Sequence, residues 1–221
     1  LNRQVGSERI TGVQKHGAFG TVAFQLDGLP LDLATARQEH YPAPAQNPVV
    51  QAGTLQADLA RRDFTVNAMA FDLVAGELID LHHGLEDLES GELRFLHAGS
   101  VQDDPTRVIR AARYAARLGF QLAEESSKQI RSTIQNWPWA WRQGDPAMAA
   151  PPALATRLRM ELERLLEREP WPQALDLLEQ WQALPLLDPQ LQNDPRRMQR
   201  LHWAQRLGLP LMPTFLLGAA D

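Results

Sequence analysis

The sequence predicts an α+β protein, on three observations: short apolar runs between turn signals fill the first hundred residues, apolar residues recur at helical spacing from about Ser100 onward, and no internal repeat is present. In the first part, Gly20–Leu26 reads as a strand, Asp27-Gly28 as a tight hairpin, and Leu29–Ala34 as the returning strand. Pro30 falls near the start of that strand, where its missing N–H is tolerated. Gln38–Gly53 is rich in Pro, Ala, Gln and Asn and reads as a loop. Thr54–Ala70 is expected to be helical in its second part, and Phe71–Leu73 and Leu78–Asp80 to form a second hairpin about Ala75-Gly76. In the helical part, Asp104-Pro105 starts a helix, since Asp caps free N–H groups and Pro suits the first turn, and Gly119 ends it. Further helices are expected over Glu124–Gln135, Leu154–Arg168, Pro170–Ala183 and Pro195–Leu207, with a linker from Trp137 to Pro152. Trp137, Trp139 and Trp141 read as cover for the helical core or as partner anchors, and Trp171, Trp181 and Trp203 as core.

The 221 residues suffice for one large or two small domains. The absence of cysteine excludes disulfides and thiolate zinc sites, and a cytoplasmic location is expected. No apolar run reaches the roughly 18 residues of a membrane span. A net charge of −5, taken alone, argues against a nucleic-acid partner, which usually needs a basic surface. Yet Lys15 and Lys128 are the only lysines, so nearly every cation is a guanidinium, which grips phosphates and base edges with two prongs. Codon bias explains such a preference equally well. Leu1 in place of an initiator methionine suggests a chain that begins partway through a longer protein.

Four constellations carry potential chemistry. In Asp104-x-x-Arg107-x-x-Arg110-x-x-Arg113, steps of three drift by about 60° on a helix, so the arginines, with Arg117, share a face opposite Val108, Ile109, Ala111, Ala112, Ala115 and Ala116. Such a row suits a nucleotide; it also suits an ordinary amphipathic helix with a solvated arginine face. Arg61-Arg62-Asp63-Phe64-Thr65-Val66-Asn67 places two arginines on different sides, so that one could face a phosphate with Asp63 fixing it from behind, and Asn67 on the helical face of Asp63; the alternative is a set of surface ion pairs. His82-His83 lies among carboxylates, but adjacent strand residues point apart, which favours an inter-domain loop over a metal site. Asp32, a carboxylate in an apolar strand, suits either Mg²⁺ or plain solvent exposure.

In order and wording, Arg61–Ala70, Ile79-Asp80 with Gly84–Leu88, Asp103–Arg113 and Ala116–Phe120 resemble successive motifs of the class II bacterial tRNA nucleotidyltransferases (CCA-adding enzymes) and poly(A) polymerases. His16–Thr21 and Leu31–Arg37 resemble the head strands of that family, and Arg157–Leu166 and Ala174–Leu191 suit its helical neck and body. The resemblance implies an incomplete polymerase-β-like nucleotidyltransferase head over residues 1–98, a helical neck with the nucleotide-reading motif over 99–168, and a helical body over 169–221. It implies transfer of CMP or AMP from CTP or ATP to the 3′ end of tRNA or another RNA, with Mg²⁺ as cofactor and no membrane partner. Asp104 and Arg107 would read the base, Arg62, Asp63, Asn67, Arg110 and Arg113 would bind the nucleotide, and Asp32 would act near the metals. CCA, CC-only, A-only and poly(A) addition are not separable on these motifs, nor is an oligomeric state. The acidic pair is Asp103-Asp104 where the family has Glu-Asp. The family's first motif, a Gly-Gly turn followed by Asp-x-Asp, is absent. That absence predicts a sheet edge left open, a chain inactive on its own, or a silent nucleotide- or RNA-binding module.

Overall fold

A computed structural model describes residues 7–16, 20–136 and 152–219. The chain forms two compact units, Leu1–Glu39 with Val50–Arg61, and His40–Val49 with Arg62–Asp221.

The first unit is built on an antiparallel sheet in the order β1 (Ile10–His16), β2 (Thr21–Leu26) and β3 (Leu29–Ala34). Asp27 and Gly28 take positive φ of 51° and 82°, the turn that matches strand twist, and set Leu26 opposite Leu29 and Ala23 opposite Asp32. Every side chain of β3, at one end of the strand order, is exposed, including Leu29, Leu31 and Leu33. β1 is an addition to the sequence reading, and the predicted loop is shorter than 38–53: β4 (Arg37–His40) and β5 (Val49–Ala52) pair within it. Helix α1 (Leu55–Ala60) starts at Thr54, whose hydroxyl accepts from Ala57 N at 3.2 Å. The helix expected in the second part of Thr54–Ala70 therefore lies in the first. Arg61 closes it by pairing with Asp58 at 2.7 Å and Glu39 at 3.1 Å.

In the second unit, a single 3-10 turn (65–67) leads to the hairpin β6 (Met69–Asp72) and β7 (Glu77–Asp80), then to α2 (Gly84–Ser90). A Cβ on Gly84 would lie 2.3 Å from Thr65 O, so only glycine lets α2 approach that turn. Strand β8 (Glu92–Leu93) pairs in parallel with β9 (Gln121–Leu122). The helices are α3 (Ser100–Asp103), α4 (Thr106–Leu118), α5 (Glu124–Asn136), α6 (Pro152–Arg168), α7 (Trp171–Gln180), α8 (Arg197–Arg206) and α9 (Leu211–Leu216). The predicted helices are thus present, with Gly119 the left-handed stop of α4 at φ 70°. The apolar face of α4 (Val108, Ile109, Ala111, Ala112 and Ala115) is buried, and its alanines let α6 and α7 come close. Phe64, Leu93 and Phe95 join the same core, so the segment from Arg62 to Phe95 packs with the helices of this unit. Trp171 is buried and Trp181 partly so, but Trp203 is 52% exposed, its ring covered by the Arg206 guanidinium at 5.0 Å; it is not core. Trp137, Trp139 and Trp141 lie outside the described residues.

The segment after β7 shows what Asp80 does. Its carboxylate accepts from Gly84 N and Leu85 N, each at 2.9 Å, and from His82 N at 3.3 Å, satisfying the free donors at the start of α2. Burial pushes its pKa up, but the N–H groups of Leu85, Gly84 and His82 outweigh burial and hold it below the usual carboxylate range. Asp80→Ala is expected to cost roughly 1–2 kcal/mol at pH 7. A depressed folded-state pKa contributes stability above the unfolded value and loses it as pH falls through the folded value, so urea melts of the two proteins should converge in acid below the usual carboxylate range.

Candidate nucleotide-binding site

The second unit brings together most of the charged residues picked out by the sequence. The chain runs from Arg62, exposed in a bend, to Asp63, which is 5% exposed. Asp63 Oδ1 accepts from the Phe64 backbone N–H at 3.0 Å and from Asn67 Nδ2 at 3.1 Å. These bonds give the backbone an alternative to helix, so the expected shared helical face of Asp63 and Asn67 is instead a bend followed by the 3-10 turn. Phe64 anchors the bend, with its ring stacked on Phe95 at 5.3 Å and edge-on to Tyr114 at 5.7 Å.

Asp63 also holds an arginine from a distant part of the chain, Arg110, whose Nη2 lies 2.7 Å from Asp63 Oδ2. This is an ion pair without hydrogen-bond geometry, since Oδ2 has no such partner. Burial disfavours the charge on Arg110, but Asp63, Tyr114 and Glu161 outweigh it and raise the Arg110 pKa.

At the head of α4, Asp104 Oδ1 accepts from Thr106 N at 3.2 Å and from Thr106 Oγ1 at 2.7 Å. Arg157 of α6 reaches the same oxygen at 3.3 Å and also donates to Ala45 O at 2.6 Å. Among the described residues all of these contacts use Oδ1, while Oδ2 keeps its capacity to accept. Arg107, 3% exposed, sends Nη1 to within 3.5 Å of Ser100 O. Its charge is felt nearby: burial first, and then Arg107, lower the pKa of His97.

The row continues as predicted along α4, but it is not a solvated face. Arg113 pairs with Glu161 and, at 3.0 Å, with Glu169, whose side chain is 2% exposed. Arg117 also meets Glu169, at 3.3 Å, and lies over the Tyr114 ring at 4.9 Å. Arg157, Glu161 and Glu169 were not singled out as site residues. The one signal available was that Arg157 and Glu161 are four apart, on a single face of α6.

Asp32 lies apart from this arrangement in the chain, exposed on β3 in the first unit. Among the described residues no three His, Asp or Glu side chains converge to hold a metal, around His82-His83 or elsewhere. His83 instead occupies the left-handed cap position of α2, at φ 59°. No helix of the described residues is long and apolar enough to cross a membrane.

Residues 2–94 match the poly A polymerase head domain family. The CC-adding tRNA nucleotidyltransferase of Deinococcus radiodurans is 43% identical over 151 residues, covering 65% of this chain and 40% of that protein. The A-adding tRNA nucleotidyltransferase of Aquifex aeolicus is 39% identical over 137 residues, 61% of this chain and 17% of that protein. Among solved structures, a tRNA-processing enzyme with CTP superposes with a TM-score of 0.68 at 30% identity, over 94% of this chain and 50% of that one. A CCA-adding enzyme with ATP does so at 0.70 and 29%, over 94% and 46%. The chain thus spans less than half the length of these curated relatives and about half of these structures.

Proposed function

We propose, for a chain whose residues 2–94 match the poly A polymerase head domain, that the protein adds CMP, AMP or both to the 3′ end of tRNA, taking CTP and ATP and releasing pyrophosphate. The observation that carries this reading is the way Asp104 and Arg107 are set at the start of α4. Arg157 and Thr106 hold one carboxylate oxygen of Asp104 and leave the other open, one helical turn from a buried guanidinium. Cytosine and adenine both present an exocyclic amine beside a bare ring nitrogen. A carboxylate accepts from the amine, and a guanidinium donates to the ring nitrogen. Uracil and guanine present a carbonyl oxygen beside an N–H, and would leave both protein groups mismatched. Fixed side chains therefore select C and A without a template strand. Arg62, Arg110 and Arg113 meet sugar and triphosphate charge, with Asp63 and Asn67 steadying Arg110. The attack of an RNA 3′-hydroxyl on the α-phosphate belongs to the same proposal, as do a cytoplasmic location and Mg²⁺. The described carboxylates do not converge on a metal, so no step is assigned through one, and Asp32 is offered only as a carboxylate of the head.

Calorimetric titration of CTP and ATP tests this reading. Both should bind, UTP and GTP should bind at least tenfold more weakly, and Arg107→Ala should abolish binding while the melting curve stays cooperative. Equal affinity for all four nucleotides, or unchanged binding in the variant, would remove the base-reading role. CTP and ATP binding without any nucleotide addition by the whole protein would favour the second reading, a silent nucleotide-binding module, for which the missing Asp-x-Asp motif speaks.

A further inference from the structure

Beyond the base-reading end of α4, the same helix forms one wall of an open cleft of about 490 Å³. Arg110, Arg113, Tyr114 and Arg117 line it from α4, and Glu161, Arg164, Arg168 and Glu169 from α6 and its exit. Five arginines face two glutamates in a protein whose net charge is −5. Both glutamates are already engaged: Glu161 by Arg113 and by Arg164 at 2.7 Å, and Glu169 by Arg113 and Arg117. Arg168 is exposed and has no carboxylate partner among the described residues, while Arg117 and Arg164 each keep about half of their side chain in water, at 49% and 47%. The cleft therefore carries surplus positive charge in arginine side chains that are exposed or half-exposed, and like charges so gathered favour an anionic occupant.

Position separates this surplus from the base-reading pair. Arg117 lies ten residues beyond Arg107, which on a helix is about 15 Å along the axis. The Tyr114 ring is already covered by Arg117, so a stacked base has little to gain there. What the cleft offers is forked donors to oxyanions, without an open aromatic face for a base.

We propose that Arg117, Arg164 and Arg168 form a docking site for the phosphodiester backbone of the RNA substrate, separate from the groups that select the incoming nucleotide. The proposal rests on the tRNA reading above. The shared chemistry is a phosphate oxyanion, and its two sources, an RNA backbone and a nucleoside triphosphate, are separated by the test.

Fluorescence anisotropy would follow a labelled tRNA lacking its 3′-terminal CCA as it binds the 221-residue chain, Arg168→Glu, and Arg164→Gln/Arg168→Gln, over a series of salt concentrations; calorimetry would follow CTP and ATP with the same proteins. The unmodified chain should bind the RNA in a salt-dependent manner. Each variant should weaken RNA binding at least tenfold and flatten the dependence of log K on log salt by about one for each phosphate no longer neutralised. CTP and ATP affinity should be unchanged. Arg168 has no ion pair to break among the described residues, whereas Arg164→Gln gives up the pair with Glu161, so agreement between the two variants assigns the effect to the cleft and not to that pair. RNA affinity and salt slope unchanged in both variants, or no RNA binding by the unmodified chain, overturns the docking site while leaving CTP and ATP selectivity to judge the function. Loss of nucleotide affinity with RNA binding intact overturns it as well, by assigning the cleft to the triphosphate.

Discussion

Arg113→Ala is expected to destabilise the protein by roughly 3–5 kcal/mol, because it removes the buried cation that two buried carboxylates share. Glu161 and Glu169 expose only 11% and 2% of their side chains, and among the described residues Arg113 is the one that pairs with both. Arg164 and Arg117 remain to hold one carboxylate each, but from half-exposed positions where a pair contributes little. In a domain of this size the loss corresponds to a melting temperature lower by roughly 10 °C. Arg113→Lys should fall between the two, since an ammonium keeps the charge but not the fork that spans two acids. Adding Glu169→Gln to Arg113→Ala should recover part of the loss. A loss below about 1 kcal/mol, or no recovery in the double variant, would mean that water already reaches these carboxylates.

Phe64→Ala should cost a comparable amount, roughly 3–5 kcal/mol. The ring is fully buried and touches both Phe95 and Tyr114, so its removal opens a cavity between the bend at residues 62–64 and α4. Its effect should not end with stability. Asp63 accepts from the Phe64 backbone N–H, and a bend without its anchor no longer fixes the carboxylate that holds Arg110. CTP affinity should therefore fall even at temperatures where the variant is fully folded. Phe64→Leu, which fills most of the space, should restore most of that affinity. Equal nucleotide affinity in Phe64→Ala and the parent would show that Arg110 is positioned without Asp63.

These two residues show how much could be read from the sequence. The apolar spacing of Val108–Ala115, the start at Pro105 and the stop at Gly119 placed α4 and its arginine row, because helix periodicity and capping are local properties. The hairpin at Asp27-Gly28 was legible for the same reason. What was not legible is non-local. Nothing near Arg113 reveals that its carboxylates lie 48 and 56 residues further on, and nothing in Arg61-Arg62-Asp63 reveals that Asp63 serves Arg110. Arg37–His40 contains no apolar residue, so no alternation marked it as a strand; pairing and the ion pairs around Glu39 hold it there. Arg62–Asn67 has residues that allow a helix, but the Asp63 side chain takes up the backbone donor that a helix would use. Trp203 was misplaced because size suggests burial, whereas a tryptophan can shelter under a guanidinium at the surface.

The bond from Arg157 to Ala45 O spans 112 residues of chain, and Ala45 itself is fully buried. A ribosome adding about 5–20 residues per second delivers Ala45 roughly 6–22 s before Arg157 exists. For that interval the segment around Ala45 has no lasting place in the core, and the oxygen of Asp104 that Arg157 will share has no cation beside it. The arrangement around Asp104 is thus completed late in synthesis, when α6 arrives and ties both ends at once.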